Sequence, residues 1–144
     1  MKIATSRFGE IDICEDKIIH MPHGMLGFPD RRTFTLFQHK PDSPFYWFQS
    51  IDNPELAFVI VNPFLFKPDY DVDVAYALKD MSWDTDMEEN ALELYVVVNI
   101  PKGSPENMSA NLIGPILINV EACQAVQMVL TDSEYSHKHP LVVQ

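Results

Sequence analysis

The sequence predicts an all-β fold: a single domain of short, mostly antiparallel strands, a sandwich or a barrel, with one or two short helical turns, spanning residues 1–144. Three observations predict it. The 11 prolines are spread along the chain, and each would end or kink a long helix. Short runs rich in β-branched and aromatic residues recur between them, bounded by turn residues. Several runs alternate apolar and polar positions, the period of a half-buried strand.

The elements follow in chain order. "KIATSR", "EIDI" and "KII" read as three short strands near the N-terminus. "HMPHGMLGFPD" at 20–30 carries two glycines and two prolines and reads as a turning segment, with a short turn after Pro29. Gly24 and Gly27 are turn residues, at least one of which needs a positive φ. "TFTLFQ" and "FYWFQS" are strands. "AFVIV" and "YVVV" lack alternation and read as central strands covered on both faces. Residues 70–78 place Val72, Val74, Tyr76 and Leu78 on one side and Asp71, Asp73, Ala75 and Ala77 on the other. That is the pattern of a strand with one wet face. Thr85 and Glu88 fit a capping box and start a short helix over 85–90. "PILINV" and "AVQMVL" complete the set. Asn62 and Asn111 are expected partly buried, with side chains that hold neighbouring loops.

Charge narrows the function classes. Ten Lys and Arg face 21 Asp and Glu, a net charge of −11. Residues 80–144 hold 10 acidic and 2 basic side chains. Such a field repels nucleic acid and anionic membrane and attracts basic proteins; its plainer effect is solubility. No apolar run is long enough to span a bilayer, and the charged N-terminus lacks a signal-peptide core. The expected location is the cytoplasm. Cys14 and Cys123 lie among apolar residues, form no C-x-x-C pair, and read as a reduced pair of small buried hydrophobes.

Candidate chemistry is thin. Zinc could draw on Cys14, His20, His23, His137 and His139, but zinc needs four ligands, and no two pairs have the usual spacing. Loop histidines are the plainer reading. Asp69, Asp71 and Asp73 open like an EF-hand loop. Val74 and Asp80 then stand where the loop requires glycine and glutamate, so a solvated face explains the aspartates better. The nucleophile-elbow, P-loop and dinucleotide-binding motifs are missing, and no cofactor is expected. The aromatics of a nucleic-acid binder are present without the basic stripe. A protein surface remains. Residues 69–93 hold nine carboxylates and one lysine, beside the aromatic "PFLF".

Seven pieces then carry a resemblance. They are "FGEI" at 8–11, "PHGMLGFPD" at 22–30, "PFYWFQSID" at 44–52, "LAFVIVNPFLFKPDY" at 56–70, "VNIP" at 98–101, "NLIGPILIN" at 111–119 and "HPL" at 139–141. Each is weak alone, but in this order and spacing they resemble the flagellar assembly factor FliW family over almost the whole chain. The resemblance implies a β-barrel-like domain without known catalysis. It also implies two partners: the translational regulator CsrA, whose repression of flagellin translation is relieved, and flagellin, which closes a feedback loop. The alternative of another class is a small metal-dependent hydrolase with a site near His20 and His23. The partner surface is expected at Phe64, Phe66, Asp69, Tyr70, Asp71 and Asp73, with Asp84 and Glu88 at its rim. Carboxylates there suit a basic partner, aromatics supply anchors, and residues 70–78, if an edge strand, offer free backbone groups. The competing reading makes these aromatics core.

Overall fold

The computed structural model describes residues 1–38, 40–83, 91–101, 103–130 and 134–141. Strands β1 (Lys2–Thr5) and β2 (Gly9–Asp12) form an antiparallel hairpin. The remaining strands are β3 (Ile19–His20), β4 (Thr33–Gln38), β5 (Phe45–Ser50), β6 (Ala57–Val61), β7 (Leu92–Asn99), β8 (Ser109–Ala110), β9 (Ile116–Asn119), β10 (Gln124–Gln127) and β11 (His139–Pro140). Strands β3 to β7 pair in sequence order, all antiparallel. Strand β7 also pairs with β9, β9 with β10, and β10 with β3. That circuit closes a seven-stranded barrel, and β8 and β11 extend the sheet from β7.

Side-chain alternation sorts the barrel into an inside and an outside. Phe34, Phe48, Ile60, Tyr95, Ile116, Ile118 and Ala125 point inward and make the interior core. Phe34 and Phe48 are fully buried there and stack with centroids 4.4 Å apart and planes at 5°. The alternate residues Val59, Val61, Val96 and Val98 point outward, beneath Tyr70, Leu112 and Leu141. This explains why "AFVIV" and "YVVV" show no alternation. Both faces are covered, one by the barrel interior and one by an outer layer, as expected from the sequence.

The loop at 20–30 seals the barrel. Met21 and Met25 are buried in its core. Gly24 and Gly27 both take positive φ, +69° and +84°. At Gly24 a Cβ would also lie 2.6 Å from the Pro29 carbonyl oxygen. The turn after Pro29 is present, with Arg31 N–H donating to Phe28 O. Asn111 behaves as expected: half-buried, its Oδ1 accepts from Ile113 N–H and Gly114 N–H. Asn62 holds its turn by accepting from Phe64 N–H, but it is exposed rather than partly buried.

Two other expectations meet the structure differently. Residues 70–78 are not a strand. An irregular segment leads into helix α1 (Ala75–Asp80). The run Ala-Tyr-Ala-Leu-Lys favours helix, and Asp73 Oδ1 accepts the Ala75 N–H at its start. Val72 and Val74 alternate because they reach two different clusters across the turn. The cysteines are free but not buried: Cys14 is exposed, and Cys123 is half-exposed in a positive-φ turn at +54°. The helix expected over 85–90 lies outside the described residues. No described helix is long and apolar enough to cross a membrane.

Candidate interaction surface

The expected surface belongs to the long connection between β6 and β7. Pro63–Leu65 forms a 3-10 turn at its start, with Pro63 buried beneath it. Proline suits this first position because its missing N–H would be unpaired there anyway. The turn thrusts Phe64 and Leu65 outward, 44% and 64% exposed. Phe66 turns back, half-buried, with its ring stacked on His139 at 5.9 Å.

Tyr70 is the anchor of the segment rather than a contact surface. It is 4% exposed, and its hydroxyl donates to the Leu112 carbonyl at 2.6 Å. Tyr135 meets its ring edge-on at 4.7 Å, and the Tyr135 hydroxyl accepts the Asp71 N–H at 2.8 Å. Burial, with Tyr135 nearby, pushes the Tyr70 hydroxyl well above the ordinary phenol range, so its proton stays on to donate. Tyr70→Phe should therefore cost about 1–2 kcal/mol of stability in urea unfolding, by stranding the Leu112 carbonyl.

The aspartates remain at the surface. Asp69, Asp71 and Asp73 are all exposed. Lys67 donates to Asp69 Oδ1 at 3.1 Å, and that bond holds the Asp69 carboxyl below its ordinary value. The same ammonium lies over the Tyr135 ring, 5.7 Å from its centroid. Asp69 and Asp73 thus serve local bonds, and Asp71 is held through its main chain.

The expected residues do not share one concavity. Phe64 and Leu65 line a groove with Tyr46, Glu93 and Tyr95. Asp71 and Asp73 line a second groove with Tyr76, Asp80 and residues 126–130. Tyr70 lies between them, its ring 6.2 Å from Phe64. Asp84 and Glu88 lie outside the described residues. Leu65, 64% exposed, entered the sequence reading only as part of "PFLF", and Tyr76 and Val129, 79% and 50% exposed, were missed. Reading 75–80 as a helix would have revealed Tyr76, because it stands opposite the buried face. Val129 gave no such signal.

The histidines that suggested a metal are separated by their backbone. His20 sits in β3 paired with Gln124, while His23 Nε2 lies 3.1 Å from Asp80 Oδ2. Among the described residues, no three His, Cys, Asp or Glu side chains gather around a common point.

Comparison with known proteins gives a consistent result. The family model described as FliW protein matches residues 2–141. A flagellar assembly factor FliW from Magnetococcus marinus is 37% identical over 144 residues, covering 99% of this chain and 85% of that protein. One from Caldanaerobacter subterraneus subsp. tengcongensis is 39% identical over 143 residues, covering 99% and 93%. A crystal structure of the flagellar assembly factor FliW superposes with a TM-score of 0.87 at 33% identity, covering 100% of this chain and 99% of that one.

Proposed function

The chain belongs to the FliW family of flagellar assembly factors, and from that premise we propose that it regulates flagellin supply by binding proteins rather than by catalysis. Its partners in this reading are CsrA and flagellin. Binding CsrA relieves repression of flagellin translation, and newly made flagellin withdraws the factor again. The observation that carries the reading is the full-length match in sequence and fold to proteins named for flagellar assembly. The acidic surface supports it, because an RNA-binding regulator presents basic residues.

The factor docks beside the RNA-binding face of CsrA and obstructs it, and its field repels RNA at a distance. The test loads purified CsrA with flagellin leader RNA at saturation and adds the chain. Bound RNA should fall and stay low as more RNA is added, and flagellin monomer should restore it. Full recovery by excess RNA would show plain competition. Absence of any complex with CsrA would remove the reading.

The docking surface proposed is Phe64, Phe66, Asp69, Asp71 and Asp73, with Asp84 and Glu88 at its rim and Tyr70 as its buried support. Rim charges act mainly on association rate. Replacing Asp71, Asp73 and Glu88 together by lysine should slow association with CsrA about tenfold at low salt, and less at moderate salt. Far-ultraviolet circular dichroism of the same sample checks the fold, since Asp73 also caps α1. An unchanged rate with the fold intact places the surface elsewhere.

A further inference from the structure

Among the described residues, the barrel's weakest seam joins β10 to β3. Strand β10 meets β3 through a single residue pair, Gln124 with His20, whereas it meets β9 through four. Beyond that pair the chain stays extended along β9. Met128 N–H donates to Pro115 O, and Leu130 N–H to Ile113 O, both at 2.8 Å. In an antiparallel ladder the residues between such bonds turn their main-chain groups the other way. Gln127 and Val129 therefore aim N–H and C=O away from β9, past the end of β3, and among the described residues nothing pairs with them.

The 20–30 loop touches this edge at one point, where Leu26 N–H donates to Gln127 Oε1 at 2.9 Å, but the edge has no protecting residue of its own. Residues 125–130 read "AVQMVL", without charge or proline. Exposed edges of this kind are normally blunted by lysine, proline or a bulge, because they template pairing with other chains. The edge forms one wall of an open groove, and α1 with the segment before it forms the other. Asp71, Asp73 and Asp80 line that second wall, with His23 3.1 Å from Asp80 at its end, and among the described residues the groove has no lysine or arginine. Tyr76 and Val129 supply exposed apolar surface on either side.

We propose that residues 127–129 accept an added strand: an extended protein segment carrying lysine or arginine, whose main chain pairs with Gln127 and Val129 and whose basic side chains reach Asp71, Asp73 and Asp80. Main-chain bonds supply affinity in such strand addition, and the alternating side chains supply selectivity. Charge decides against a second copy of this chain as the occupant. A net charge of −11 would bring two acidic walls together. The inference concerns the chemistry of the segment and holds whichever protein brings it.

The test uses the full chain and two capped octapeptides, one of alternating lysine and valine and one of alternating glutamate and valine. The lysine peptide should shift the amide resonances of Gln127 and Val129 and slow their hydrogen exchange. The glutamate peptide should bind at least about tenfold more weakly at low salt. Val129→Pro removes one outward donor, leaves the bonds to β9, and suits an edge position. It should weaken the lysine peptide about tenfold. If Val129→Pro unfolds the chain, Val129→Lys keeps the backbone and should weaken it comparably. Asp71→Lys, whose carboxylate sits in an exposed loop, should weaken it about threefold. Equal binding of both peptides, shifts confined to other residues, or unchanged affinity in the folded variants would each overturn the proposal. Because CsrA is not a reagent here, failure leaves the regulatory reading intact.

Discussion

Phe48→Ala should destabilise the chain by about 3–5 kcal/mol, the range for truncating a fully buried aromatic. Phe48 is 0% exposed, at the middle of β5. Its ring stacks on Phe34 across the β4–β5 ladder, and the cross-strand partner on its other side is Phe58. Removing the ring loses its transfer free energy, its stacking contact and the packing of both neighbours. The barrel is closed on that side by full-length strand pairs, so its wall cannot collapse inward to fill the space. Guanidinium unfolding followed by tryptophan emission would report the loss, because Trp47 is the adjacent residue. Phe48→Leu should recover a large part of it by restoring apolar volume. A loss below about 1 kcal/mol for the alanine variant would show that the interior is not the rigid core described.

Gly24→Ala should cost about 2–4 kcal/mol although it adds a single methyl group. Two effects combine. At a φ of +69° an L-residue is strained. The new Cβ would also meet Pro29 O at 2.6 Å, Pro29 Cα at 2.7 Å and Phe28 O at 2.8 Å, all of them backbone. Backbone on both sides of a tight loop cannot step aside as a flexible side chain can. The loop would open and draw Met25 out of the core it plugs. Gly27 is the control. Its φ is +84° but nothing lies within 4 Å of its Cβ position, so Gly27→Ala should cost about 1 kcal/mol, from backbone strain alone. Equal losses at the two positions, measured by thermal unfolding, would show that the Pro29 contact is unimportant.

The difference between these glycines shows where sequence reading stops. "HGMLGFPD" announces a turn with two glycines, and both do adopt positive φ. Only the folded loop reveals that Pro29 folds back over one of them. The aromatic run "FYWFQS" shows the same division. Its strand boundaries, Phe45–Ser50, are those the sequence suggests. Which of its rings face the interior depends on the pairing register with β4 and β6.

The candidate surface was legible only as a region. Charge density in residues 69–93, beside the aromatic "PFLF", singled out the connection that does carry exposed carboxylates. Its conformation was misread because Val72, Val74, Tyr76 and Leu78 mimic a strand. Four apolar residues at period two also arise when an irregular segment hands over to a helix. Propensity over so few residues cannot separate the two.

Taken by itself, the sequence determined the all-β class, nearly every strand, the turning role of residues 20–30 and the family, because these rest on local composition, period and motif order. Tertiary structure alone decided which strands meet to close the barrel. It decided that Tyr70 is an inward anchor, and that the exposed edge lies at residues 127–129 rather than 70–78. Each depends on which distant segments come to lie side by side. Burial and free hydrogen-bonding edges are properties of those neighbours, and a strand's own residues do not encode who they will be.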